Sequence, residues 1–179
     1  ITMQLYSPAQ PGQRPPDWSA TFSQIVDRLG QSGGIVQASA VSPGIPLSVR
    51  LHMDGLTVRG ATIEGQTGVS LKKVTPGYHT ALRIPLRSGR LFESTDREGS
   101  PNVAIISDTA AKTFFPGEDP VGRTVVVARA DRTVVGVVAD VRQWSFEERT
   151  LAEVYLPMAQ ITPGTGYLVI RTGDDPRAA

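Results

Sequence analysis

Cysteine is absent from the 179 residues. That excludes disulfide staples, thiolate zinc sites and a cysteine nucleophile, and it fits either the cytosol or a periplasm that does without them. Long apolar runs are missing too. The longest, Val125–Ala128, Val134–Ala139 and Tyr167–Ile170, fall far short of the roughly 20 residues a transmembrane helix needs. Net charge is close to zero, with 18 basic residues against 17 acidic ones, which indicates neither a nucleic-acid domain nor an acidic tail. The chain opens on Ile1 with no charged segment ahead of an apolar stretch. It therefore predicts no signal peptide and reads as a segment of something longer.

What is present in excess is glycine and proline, 18 and 14 residues, well above the average share of about 12%. Many turns between short elements follow, and a helical bundle is disfavoured. With 40% hydrophobic and 20% charged residues the composition is that of a globular chain. Its length suits one ordinary domain or two small lobes, burying roughly 70% of the unfolded surface. The halves differ mildly in charge: residues 1–90 hold nine basic and four acidic side chains, and 91–179 hold nine and thirteen. That polarity names no partner.

The pattern along the chain predicts a strand at residues 1–6 and a Pro-rich connector. A helix follows, with Asp17 as N-cap, an apolar stripe at Trp18, Phe22, Ile25, Val26 and Leu29, and Gly30 as left-handed cap. Ile35–Val41 reads as a strand. Leu47, Val49, Leu51 and Met53 alternate with polar residues up to an Asp54-Gly55 turn. Val69–Val74 is a strand, and Thr75-Pro76 marks a short helix over Gly77–Leu82 with Thr75 as N-cap. Arg83–Arg90 is irregular. Val103–Ile106 is a strand, and Ser107 caps a helix that turns Ala110, Ala111, Phe114 and Phe115 inward until Pro116 stops it. Arg123–Ala128 and Thr133–Ala139 are strands joined by a turn at Arg129–Arg132, and Glu153–Leu156 and Tyr167–Thr172 close the series. Clustered strands, about eight with three helices, favour an α+β fold over a doubly wound sheet.

No active site emerges from these residues. Gly117–Thr124 matches the phosphate-loop spacing except that Arg123 replaces the lysine. A helix precedes it and a strand follows, the reverse of what a phosphate loop requires, and Glu118 and Asp119 occupy the loop, so it reads as a turn. His52 and His79 lack carboxylates or cysteines at ligand spacing, placing one on a surface strand and the other on a helix flank. Asp96, Glu98, Asp174 and Asp175 do not form a calcium loop. Lys72, Lys73, Arg83, Arg87 and Arg90 form a basic cluster, read as a solvated face with one or two internal ion pairs, and aromatics at only 6% do not interleave with it. Catalytic, cofactor and metal residues are accordingly expected to be none.

A series of strings in the second half carries a resemblance. Val74-Thr75-Pro76-Gly77-Tyr78, Ile84-Pro85-Leu86, Gly89-Arg90-Leu91-Phe92 and Asp96 come first. Val103–Ile106, Phe114–Arg123, Val135–Arg142, Glu153–Pro157 and Val169–Pro176 continue it in order. Together they resemble the MacB-like extracytoplasmic core domain of MacB/FtsX-type ABC transporter permeases. The first seventy residues agree more loosely, and His79 and Arg83 stand where the family usually has an aromatic and a glycine.

The resemblance implies a two-lobed fold: a porter-like α/β sandwich lobe of residues 1–73 plus 143–179, with an inserted small mixed α/β lobe of residues 74–142. It implies a non-catalytic domain on the periplasmic face of the bacterial cytoplasmic membrane, coupling ATP-driven motion of the membrane helices to export or to periplasmic partners. The implied partners are its own transmembrane helices, a second permease copy, a periplasmic adaptor protein and, indirectly, the cytoplasmic ATPase; nucleic acid is not among them. The alternative is a module that captures a peptide, lipid or drug between the lobes.

Overall fold

A computed structural model describes residues 2–5, 18–46, 53–59, 68–141, 151–161 and 165–173. Along the chain run β1 (Thr2–Leu5), α1 (Trp18–Gly30), β2 (Ile35–Ser42), β3 (Met53–Gly55), β4 (Thr57–Val58), β5 (Gly68–Val74), α2 (Tyr78–Ala81) and β6 (Leu86–Gly89). Then come β7 (Val103–Ser107), α3 (Asp108–Phe114), β8 (Thr124–Val127), β9 (Ala130–Val138), β10 (Glu153–Pro157), a 3-10 turn (Met158–Gln160) and β11 (Gly166–Thr172). Strands cluster as an α+β fold requires. The expected cap at Asp17, the alternation from Leu47 to His52, His52 itself, the segment 143–150, Asp174 and Asp175 all lie outside the described residues.

One large mixed sheet contains every described strand, and part of it closes on itself. From β5 the ladder runs to β10 in parallel, to β7 antiparallel, to β9 in parallel, and to β8 antiparallel. There β4 pairs with β8, while β3, separated from β4 by Leu56 alone, pairs back with β5. The bent segment 53–58 thus joins the two ends of the ladder into a six-stranded barrel. Inward residues alternate along each strand, giving a dry interior of Leu56, Val58, Val69, Leu71, Ala104, Ile106, Val125, Val127, Val134, Val137, Val154 and Leu156. A bulge at Val135, skipped between the Ala104–Val134 and Ile105–Gly136 pairs, lets Val134 and Val137 both face in.

Helix α3 packs on this interior as its sequence predicts. Ser107 is extended and its hydroxyl accepts the Ala110 N–H at 3.3 Å, satisfying one of the free donors of the first turn. Phe114 and Phe115 are both buried in the barrel core.

Outside the barrel, β2 continues the sheet through β11 to β1 as an open ribbon. Helix α1 covers one side of it with Phe22 against Ala40, Leu168 and Met158, while Trp18, Ile25, Val26 and Leu29 pack around that seat. Phe22 needs Gly166: a side chain there would enter the Phe22 ring. On the ribbon's other side, Val41 and Val169 join a layer with Val74, Tyr78, Ile84, Phe92, Ile105 and Tyr155, which covers the barrel's outer wall.

Several local expectations are corrected. Gly30 is the last helical residue, and the left-handed turn falls at Gly34 (φ 82°). Asp54 and Gly55 are in β3 because the barrel's closing seam claims them. Thr75 does not cap α2; Gly77 stands there in the left-handed region, and the Thr75 hydroxyl instead accepts the Ala40 N–H at 2.7 Å. The Arg83–Arg90 stretch contains β6, whose partner β9 supplies the order its own sequence lacks. The β8–β9 turn is only Ala128-Arg129, both at positive φ (51° and 60°), the two-residue geometry that matches strand twist. Arg83 takes φ 55°, so the left-handed turn survives without glycine.

Candidate functional site

The outward residues of β5 and β10 are the counterpart of the barrel interior. In the parallel register Ser70 stands beside Glu153 and Lys72 beside Tyr155, all four on the outer wall and all buried. Lys72 Nζ donates to the Gly44 carbonyl at 3.1 Å, and the Tyr155 hydroxyl donates to Glu153 Oε2 at 2.7 Å. Burial lowers the Lys72 pKa, with the nearby Glu153 charge opposing. Burial raises that of Tyr155, which the Glu153 charge pushes further.

Helix α2 packs on β2 and β11 and covers the Tyr155 end of this row. Tyr78 lies 6.1 Å from the Tyr155 ring, and its hydroxyl is also pushed up by burial and the Glu153 charge. His79, expected on a helix flank, is instead buried at 3% exposure, its ring edge-on to Tyr155 at 4.6 Å. Burial lowers its pKa to about 4, so it is neutral at physiological pH. Gly77 permits the roof: its φ of 87° suits glycine, and a side chain there would strike the Gln37 amide.

The expected basic face is divided among different environments. Lys72 is interior. Arg90 grips Asp96 with two bonds, at 2.7 and 2.9 Å, and Asp96 also accepts the Glu93 N–H. Burial pulls the Asp96 pKa up, but Arg90 and that backbone bond outweigh it and hold it below the usual value. Arg87 reaches Asp108 at 3.4 Å. Gly117–Thr124 is a turn between α3 and β8, in which Arg123 pairs with Glu118 at 3.1 Å and Asp119 accepts the Val121 N–H. Arg123 offsets one of its two acidic charges, and in the chain a helix precedes it and a strand follows.

Among the described residues no three His, Cys, Asp or Glu side chains gather to hold a metal ion. Of the shifted groups, Lys72, Tyr78, His79 and Tyr155 are buried, whereas Arg90 and Asp96 form their ion pair elsewhere. Among the described residues, one groove of about 600 Å³ lies between the end of α1, the start of β2 and Pro76-Gly77. Sequence reasoning missed the buried polar row, although period two within Gly68–Val74 already places Ser70 and Lys72 together, opposite Val69 and Leu71.

A mixed α/β domain with interior polar groups and an open sheet ribbon is the class this geometry defines. Residues 2–179 match the MacB-like periplasmic core domain, and the chain belongs to that family. It is 32% identical over 136 residues to the macrolide export ATP-binding/permease protein MacB of Rhodospirillum rubrum, covering 75% of this chain and 19% of that protein. To the MacB of Aggregatibacter actinomycetemcomitans it is 29% identical over 115 residues, or 61% of this chain and 18% of that protein. The chain thus spans about a fifth of the length of the curated relatives it matches. In fold it is similar to the crystal structure of the periplasmic region of MacB from Actinobacillus actinomycetemcomitans (TM-score 0.61, 18% identity, 87% of this chain and 67% of that one). It is also similar to the extracellular domain of the noncanonic ABC-type transporter YknZ from Gram-positive bacteria (TM-score 0.60, 18% identity, 99% and 86%). The family's domain is the periplasmic part of a MacB-type permease.

Proposed function

We propose that this domain performs no chemistry of its own and acts as the lever of an ABC permease, carrying ATP-driven motion of membrane helices to export or to periplasmic partners. The observation that supports this most is the burial of Lys72, Tyr78, His79 and Tyr155, where a reactive site would present its shifted groups in a cleft. The partners in this reading are the protein's own transmembrane helices, a second permease copy, a periplasmic adaptor protein and, through the helices, the cytoplasmic ATPase. The pairing of β1 with β11 suits a domain held between two membrane helices, since the two strands lie side by side. Excised, the domain is then monomeric or weakly dimeric, because an interface tethered by its anchors need not reach the area of a free complex. In the full transporter, a disulfide locking two copies should abolish transport while ATP binding persists. Unimpaired transport by the locked protein, or by one lacking this domain, overturns the lever.

The division into 1–73 with 143–179 and an inserted 74–142 belongs to the same proposal. The barrel takes β5 and β10 from one side of that boundary and β7 to β9 from the other. A separately expressed 74–142 segment that unfolds cooperatively supports the division. One that stays unstructured without β3–β5 and β10 refutes it.

The groove beside α1 favours a second reading, capture of a peptide, lipid or drug. A saturable thermal shift with such a ligand, lost on filling the groove with Val36→Trp at its exposed edge, distinguishes it from the lever.

A further inference from the structure

We infer that His79 makes α2 an acid-sensitive clasp: the neutral imidazole lets the helix lie shut over the outer wall of β5 and β10, and the protonated one opens it. Three rings surround the imidazole, Tyr78 at 5.4 Å, Tyr155 at 4.6 Å and Phe92 at 6.4 Å. Its Nε2 is buried with no hydrogen-bond partner among the described residues. From β2 and β11, on which α2 packs, Val41, Val169 and Tyr167 join the same layer. Tyr78, on its own helix, and Phe92, after β6, are aromatic. On β10, the Tyr155 hydroxyl is committed to Glu153, and on β5 the Lys72 ammonium is directed to Gly44. The charges of Glu153 and Asp140 act on Tyr155, while burial alone governs the imidazole.

The helix is short and bounded by two left-handed turns. It has four residues, is entered through left-handed Gly77 and left through Arg83, and is tied to β2 by two bonds between Thr75 and Ala40. Burial lowers the imidazole pKa to about 4 from its ordinary 6.5. Because the folded value lies below the unfolded one, the stabilisation is complete above pH 6.5 and is lost as pH falls through 4. Over that span the opening equilibrium rises by up to about 300-fold. This inference does not depend on the transport reading.

With two histidines in the chain, His52→Gln leaves His79 as the one imidazole, and its ring-proton NMR titration should show a midpoint below pH 5. Hydrogen exchange of amides 77–84, corrected for intrinsic rate, should accelerate at least tenfold from pH 7 to pH 4.5 relative to the β7 amides. His79→Phe should abolish that acceleration. A midpoint at or above 6.5, equal acceleration in His79→Phe, or no acceleration despite a low midpoint overturns the clasp. Should His79→Phe fail to fold, the titration and exchange of His52→Gln decide the matter alone.

Discussion

The two sides of β5 and β10 are made by alternate residues of the same strands, yet they pack by different rules. Facing in, Val69, Leu71, Val154 and Leu156 meet only other apolar groups. Facing out, Ser70, Lys72, Glu153 and Tyr155 are just as buried, but Lys72 is held by a directed bond to Gly44 and Tyr155 by one to Glu153, while the Ser70 hydroxyl has no hydrogen-bond partner among the described residues. The interior is set by volume, which tolerates exchanges of shape. The outer wall is set by partners, so each group there constrains its neighbours and a lost one leaves another stranded. A buried polar row costs desolvation that an apolar one does not. In exchange it fixes where α2 and the Gly44 loop must lie.

Breaking the interior should show the largest effect. Phe114→Ala removes a ring from the barrel core and should cost about 3–5 kcal/mol in urea unfolding, through lost transfer energy and cavity formation. A loss below about 1 kcal/mol would mean that the barrel collapses around the gap. On the outer wall, Lys72→Met should cost about 2 kcal/mol by stranding the Gly44 carbonyl. A double-mutant cycle with Glu153→Gln should show coupling above about 0.5 kcal/mol; additivity would deny that the row acts together. Gly77→Ala should cost about 1–2 kcal/mol from its left-handed backbone, and it should loosen α2 without disturbing the barrel, as exchange protection would report. Ser107→Ala should cost about 1 kcal/mol of α3 capping. Arg83→Gly is the mildest, a gain of about 0.5 kcal/mol as backbone relief outweighs added unfolded-chain freedom. A clear loss there would give the Arg83 side chain a role that its backbone does not explain.

The elements that the chain predicts well are those whose signal is local. The α1 stripe, the Ser107 cap and the Val-rich strands each carry their instruction within a few residues. What escaped depends on distant partners. β6 is ordered by β9, the Asp54-Gly55 turn signal is overridden by the seam with β5, and Thr75 serves Ala40 instead of its own helix. The candidate site fared least well, because nothing local tells that His79 will lie beneath aromatic rings contributed by residues 92 and 155. Lys72 was counted with a basic surface because adjacent lysines look exposed until the strand's alternation is applied. The family strings were legible as packing and turns, and those are the roles of Gly77, Phe114 and Phe115 here.

The bent segment 53–58 gives the molecule two mechanical behaviours. A ring of strands has no free end from which to peel, so a load on the barrel must strain several ladders together. The ribbon is different: among the described strands β1 pairs with β11 alone, with Thr2 opposite Val169 and Leu5 opposite Gly166. Pulling β1 sideways from β11 would open that seam rung by rung, like a zipper, at low force. Pushing the two strands together in the same direction would shift the whole body as one stiff piece. Stroke direction, more than stroke size, would then decide whether motion at this edge reaches the far wall of the barrel.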